Sequence, residues 1–261
     1  MYLALIVLFS LFELIQVPCL HAAEWSETEI QYLHGSEFHE PFNPDTVTKD
    51  IITIQNASGY SFGRSFFFID LLQSDDHDQN AQEAYSEGYL SVSLGKSTGM
   101  PLAWGPVRDI NITGGINYGY KSYPSYGINP LVLLPGITVD LNLPGFSFFN
   151  VDLLAYIDRG RIDSHDNGCH ATSYQITPAW KLPFTIWQEK FSVEGFADFI
   201  GAHGNCTSQI LTQPQLRWDV GNHFGKPGQV FASIEYQYWR NKFGVNGTRE
   251  SFPQVLLIWK F

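Results

Sequence analysis

The chain has 261 residues, of which 15% are aromatic and only 16% charged, whereas soluble domains carry about a quarter charged residues. A formal net charge of −11 argues against a nucleic-acid partner, because phosphate backbones select Lys and Arg. Beyond the N-terminal segment no stretch supplies the ~20 unbroken apolar residues of a membrane-spanning helix. Abundant apolar and aromatic surface without such a helix points to strands whose lipid-facing residues occupy alternate positions.

Leu3 to Leu20 form an apolar run broken by Glu13 and Gln16, followed by the small Ala22 and Ala23 and the polar Glu24. This is the pattern of a secretory signal peptide cleaved after Ala22 or Ala23, except that Met1-Tyr2 offers no Lys or Arg. The expected organisation is a signal peptide over 1–23 and a single domain over 24–261.

From Trp25 onward, segments of alternating polarity are separated by breaks rich in Gly, Asn, Asp and Pro, the signature of two-faced strands. Strands are expected near 25–34, 49–59, 61–72, 84–94, 108–119, 130–142, 145–157, 171–180, 189–200, 208–219, 229–240 and 252–261. The clearest puts Val230, Ala232, Ile234, Tyr236 and Tyr238 on one face and Phe231, Ser233, Glu235 and Gln237 on the other. Long polar links (Gly35–Thr48, Gln73–Glu83, Arg159–His170, Asn241–Ser251) alternate with tight ones at Gly59-Tyr60 and Leu143-Pro144-Gly145, and Gly95–Val107 breaks the alternation. Unequal ends of this kind mark outer-membrane barrels. The chain finishes on Phe261 with Trp259, Leu257, Val255 and Pro253 at alternate positions behind it, which resembles the signal read by the barrel-assembly machinery. The fold class expected is an all-β, transmembrane antiparallel β-barrel of about twelve strands in a bacterial outer membrane. Trp104, Trp180, Trp218, Trp239 and Trp259 are expected near strand ends as interfacial girdles.

Alternation also sorts the candidate pore lining. On the third strand Arg64, Phe66, Phe68 and Asp70 share the inward face, while Phe67, Ile69 and Leu71 meet lipid; on the fourth, Tyr85, Glu87, Tyr89, Ser91 and Ser93 point inward. Asp109 occupies the polar face of the fifth. Rings stack on planar solutes, and carboxylates accept hydrogen bonds from hydroxyl and amino groups. The alternative is that the rings merely fill and brace the barrel.

Enzyme signatures are absent: there is no Gly-x-Ser-x-Gly, no phosphate-binding Gly loop and no His-Glu-x-x-His. The run Asp163-Ser164-His165-Asp166 falls in a Gly- and Asn-rich loop, where adjacent residues do not form a triad. No catalytic residue, cofactor or metal is assigned. Cys169 and Cys206 lie in loops at one rim, where export permits a disulfide. Free thiols, or a metal held with His165, His170 and His203, are the alternatives.

Gly59-Tyr60-Ser61-Phe62-Gly63-Arg64 followed by Phe66-Phe67-Phe68-Ile69-Asp70 resembles the nucleoside-specific channel-forming outer-membrane protein family (Tsx/OmpK-like). Tyr32-Leu33-His34-Gly35 with Phe38, Tyr85-Ser86-Glu87, Gly105-Pro106-Val107-Arg108-Asp109-Ile110 and the terminal Trp259-Lys260-Phe261 extend the likeness. The resemblance implies a monomeric twelve-stranded barrel with a narrow pore, passive passage of nucleosides, and external loops that serve phages or colicins as receptors. A surface-receptor barrel without selective transport is the alternative function.

Overall fold

A strand with one apolar and one polar face needs two different surroundings, and a closed ring supplies both while leaving no backbone edge unpaired. In the computed structural model, which describes residues 22–122, 128–162 and 168–261, the strands pair in sequence order and the last returns to the first. They are β1 (Trp25–His39), β2 (Thr46–Tyr60), β3 (Gly63–Ser74), β4 (Gln82–Ser93), β5 (Val107–Lys121) and β6 (Leu131–Leu141). The second half comprises β7 (Phe148–Asp158), β8 (Thr172–Ile186), β9 (Glu189–Ile200), β10, β11 (Val230–Arg240) and β12 (Arg249–Lys260). The main sheet has thirteen hydrogen-bonded segments but twelve staves, because Gln209–Thr212 and Gln215–Asp219 are two parts of β10. Pro214, which has no N–H to donate, sits at that interruption. All neighbours are antiparallel, and β1 closes on β12 from Glu29↔Lys260 to His34↔Val255. The expected signal peptide, residues 1–23, lies outside the described residues except for Ala22 and Ala23.

The burial pattern is inverted relative to a water-soluble protein. Ile52, Ile69, Leu71, Leu90, Ile112, Leu133, Leu153, Leu216, Ile234 and Leu257 face outward and are exposed, whereas Gln31, Asn111, Thr113, Thr138, Gln175, Glu235 and Gln254 face inward and are buried. Hydrocarbon is the surrounding that suits such an exterior. Exposed Trp218, Trp259, Phe261, Phe62 and Phe148 lie toward the end that carries Trp25 and Phe261. Tyr118, Tyr120, Tyr174 and Tyr236 lie toward the other end. These are the two girdles. The turns at Ser61-Phe62 and Trp187-Gln188 mark the first end as periplasmic, and the connections over 75–81, 159–171, 201–208 and 241–248 mark the second as external.

Two expected girdle positions differ. Trp180 is mid-strand in β8, opposite Phe149 and Gly195, because β8 runs on to Ile186. Trp239 shares the inward face of Glu235 and Gln237, and its ring packs 4.6 Å from that of Phe243. The long periplasmic link after β4 contains the short helix α1 (Leu94–Thr98), capped by the Ser93 hydroxyl, and a bridge between Trp104 and Val107. Inside the ring, Leu33, Phe38, Val47, Ile51, Phe252, Leu256 and Ile258 form one apolar cluster on the wall of β1, β2 and β12. A second, of Val132, Leu134, Leu154, Tyr156 and Ile200, faces it from β6, β7 and β9.

Candidate lumen site

The register of β3 with β4 sets Phe66 opposite Tyr89, Phe68 opposite Glu87, and Asp70 opposite Tyr85. The next pairing sets Tyr85 against Gly119, Glu87 against Asn117, and Tyr89 against Gly115. A Cβ on Gly115 would lie 2.6 Å from the Tyr89 ring, and one on Gly119 would lie 3.1 Å from Cδ2 of Tyr85. The two glycines thus let the tyrosine rings lie flat against β5, the covering of strand glycines by aromatic neighbours. Lying so, both hydroxyls donate to Glu87, at 2.5 Å from Tyr85 and 2.8 Å from Tyr89, and Asn117 Nδ2 donates to it at 3.1 Å. The rings of Phe66, Phe68 and Tyr85 continue the row, with centroids 6.2 and 6.0 Å apart. Gly115→Ala is therefore expected to push Tyr89 off β5 and cost about 1–3 kcal/mol, measured as a fall in the urea midpoint for unfolding. An unchanged midpoint would show that the ring moves freely.

The other sequence-derived lining residues are also on the inner wall. Asp70 accepts a hydrogen bond of 2.5 Å from Thr53. Arg64 reaches past β4 and β5 to grip Asp140 of β6 with two contacts of 2.8 and 2.7 Å. Asp109 accepts from Ser93 and, at 3.1 Å, from the backbone of Gly95, so it anchors the start of α1 at the periplasmic end.

Cations gather at the two ends of the lumen. Externally, the loop after β1 delivers Glu40 onto Lys49 at 2.7 Å, Lys121 at 3.0 Å and Lys242 at 2.9 Å. Glu83, Asp78 and Glu250 complete this buried knot. Burial opposes ionisation of Glu40, but Lys242, Lys49 and Lys121 together hold its carboxyl well below the usual carboxylate range. Near the periplasmic end, Arg217 of β10 grips both oxygens of Glu29 of β1, at 2.9 and 3.0 Å, and lies 3.3 Å from Glu194. Sequence reading did not single out these residues. Their polar-face positions are visible in the alternation, but their partners lie on distant strands.

Cys169 and Cys206 form a disulfide that ties the β7–β8 connection to the β9–β10 connection. Bonded to each other, the sulfurs offer no thiolate to a metal. Beside them the buried His203 has Nδ1 3.0 Å from Gly201 O and Nε2 3.2 Å from Asp158 Oδ2. Burial disfavours its charged form, but the Asp158 carboxylate and the Gly201 carbonyl raise its pKa above the ordinary 6.5. A raised pKa contributes stability that is full below pH 6.5 and fades as pH rises through the raised value. Protease cleavage of this loop is accordingly expected to speed up on the alkaline side, and a rate independent of pH would remove the His203–Asp158 pair from the account. Asp163-Ser164-His165-Asp166 lies outside the described residues.

On the outer wall, Asp50 accepts a 2.7 Å hydrogen bond from Tyr32 and lies 2.9 Å from His34 Nδ1. Sequence reading had singled out no such pair there. Neither contact involves a serine or cysteine nucleophile.

No family model and no curated protein matches the sequence. Among solved structures, the KdgM porin matches with a TM-score of 0.47 and 10% identity, over 90% of this chain and 99% of that one. The translocator domain of the autotransporter NalP from Neisseria meningitidis matches at 0.45 and 11%, over 98% and 95% of the two chains. The outer membrane protein OpdK from Pseudomonas aeruginosa gives 0.26 and 11%, over 92% and 99%. Likenesses at this level add nothing to what the strand pairing shows. By its own pairing and its inverted burial, the chain is a closed twelve-stranded transmembrane β-barrel of the bacterial outer-membrane type.

Proposed function

We propose that the barrel is a passive, non-enzymatic channel for small solutes and that nucleosides are the class it admits. The observation that carries this reading is the row of half-buried rings, Phe66, Phe68, Tyr85 and Tyr89, set beside Glu87 and Asp70 on one lumen wall. Flat bases stack on such rings, and sugar hydroxyls donate to such carboxylates. A channel site must also bind weakly enough to release its solute. Phe66→Ala and Phe68→Ala are each expected to weaken nucleoside block of ion current by roughly 1–2 kcal/mol, or about tenfold, the scale of a lost base–ring stack. Titrating adenosine into single-channel recordings checks this, and unchanged block in both variants would reject the rings as the binding wall.

A second reading, a surface-receptor barrel without selective transport, is favoured by the knot around Glu40. That knot joins residues of opposite staves at the external mouth. Recordings without any current from correctly refolded protein would bring this reading forward.

A further inference from the structure

Between the charge ties at its two ends, the middle of the lumen has acids of a different kind. Asp70 of β3, Glu87 of β4, Asp152 of β7, Asp198 of β9 and Glu235 of β11 all turn inward, and each is held by neutral donors. Asp152 accepts from Thr138 at 2.6 Å, Asp198 from Thr177 at 2.5 Å, and Glu235 from Gln215 at 2.7 Å. Asp70 and Glu87 rest on Thr53 and on the tyrosine pair. Among the described residues none of the five is in an ion pair. The nearest cations, Arg64 and Arg217, are already engaged with Asp140 and Glu29. The five also face one another: Asp198 is within electrostatic reach of Glu87 and Asp152, and Asp70 of Glu87 and Glu235. Because β4 and β9 lie five staves apart in the ring, the first of these couplings runs across the lumen.

A second observation is independent of charge. Gln175 is 2% exposed, and its side chain reaches into the group, donating through Nε2 to Asp198 at 3.2 Å and to Thr177 at 3.0 Å. Its Oε1 is buried without a hydrogen-bond partner among the described residues. A buried amide oxygen left unpaired beside carboxylates is a further acceptor in a place whose donors are already engaged. An anion entering there meets repulsion, and the donors around it are already given to the acids. A cation meets carboxylates that no cation pairs directly, backed by the buried amide oxygen, and the faces of Phe66, Phe68, Tyr85 and Tyr89, which attract ammonium and guanidinium groups as rings do.

We propose that this mid-lumen chamber makes the channel cation-selective and binds small organic cations that carry an ammonium or guanidinium group beside a flat apolar part. The proposal rests on the lumen being a solute path, and it names the charge class that the path prefers. Carboxylate rings are a recurring device for cation selection, and here they are combined with an aromatic wall.

The test is the reversal potential of the refolded barrel in a planar bilayer under a KCl gradient. The expected permeability ratio of potassium to chloride is on the order of ten, falling severalfold toward unity in the double variant Asp198→Asn/Glu235→Gln. Phenethylammonium should block the current and benzoate should not. A ratio at or below unity, or equal block by both probes, overturns the proposal. If the double variant does not refold, acidification of the native protein replaces it: the ratio should fall toward unity as the carboxylates are neutralised, and a ratio unmoved by acid counts against them. Absence of any current would refute the channel reading separately. Equilibrium dialysis of phenethylammonium against the detergent-refolded barrel then decides, with saturable uptake supporting the chamber and no saturable uptake overturning it.

Discussion

Arg217→Met is expected to destabilise the barrel by about 3–5 kcal/mol, the cost of leaving one member of a buried ion pair without its partner. Arg217 is nearly buried and donates to both oxygens of Glu29, and its Nε donates to Gln215 at 2.7 Å. Without the guanidinium, Glu29 keeps a 3.0 Å hydrogen bond from Gln31 and the longer 3.9 Å contact with Lys260. Neither replaces a two-point grip. Glu194 suffers less, since Lys181 remains 3.2 Å away. Arg217→Lys should restore stability only in part, because a single ammonium can meet Glu29 as Nη1 does but has no Nε to hold Gln215 and Glu194 at the same time. Adding Glu29→Gln to Arg217→Met should recover a large part of the loss, because it removes the stranded charge. Urea unfolding of the three variants in detergent or lipid vesicles gives these differences. A double variant no more stable than Arg217→Met would show that lost packing, not the stranded carboxylate, sets the cost.

Glu40→Gln is expected to raise single-channel conductance by at least about twofold, since it releases a charge tie across a narrow mouth. In a ring of twelve, β5 and the end of β11 stand on opposite sides, and Glu40 touches Lys121 at the end of β5 and Lys242 just after β11. One carboxylate therefore pins the loop after β1 across the opening. The lysines do not become orphans when it goes, because Lys49 keeps Glu83, Lys121 keeps Asp78, and Lys242 keeps Glu250. The variant should fold, which separates mouth opening from collapse of the barrel. Acid should act in the same direction. A carboxyl held below its ordinary value of 4.5 contributes its full stabilisation above that pH, and the contribution is lost as pH falls through the depressed value. Native conductance should thus rise only in strongly acid solution, well below the range where exposed carboxylates protonate. Equal conductance in native protein and variant would mean that the constriction lies elsewhere.

Strand identity and facing were legible in the sequence wherever apolar and polar residues alternate without interruption. Phe67, Ile69 and Leu71 between Phe66, Phe68 and Asp70 sort themselves between lipid and lumen, because a strand has only two faces. Strand ends were less legible. β1 continues through a bulge between Gly35 and Phe38 to His39, although Gly35-Ser36-Glu37 reads as a break. β8 continues past Pro178 and Pro183 to Ile186, because Trp180 and Leu182 remain outward while Lys181 turns inward to Glu194. The two-residue turn falls at Ser61-Phe62, not at Gly59-Tyr60, because β2 and β3 pair through Tyr60↔Gly63.

The lumen chemistry was legible only in part. Tyr85, Glu87 and Tyr89 are neighbours on one face of one strand, so the alternation brings them together. Asp152, Asp198 and Glu235 come to line one lumen only because the ring closes. Glu40 meets Lys242 across 202 positions of chain, which no local pattern reports. Contacts of that kind follow from closure and shear, and short-range periodicity carries neither.

Single-channel recording of the refolded barrel with adenosine, thymidine and glucose added in turn tests the nucleoside channel most directly. Small, steady currents that both nucleosides reduce and glucose leaves unchanged are the expected result. Currents indifferent to all three solutes would contradict the nucleoside reading, and a correctly folded barrel that passes no current would contradict the channel itself.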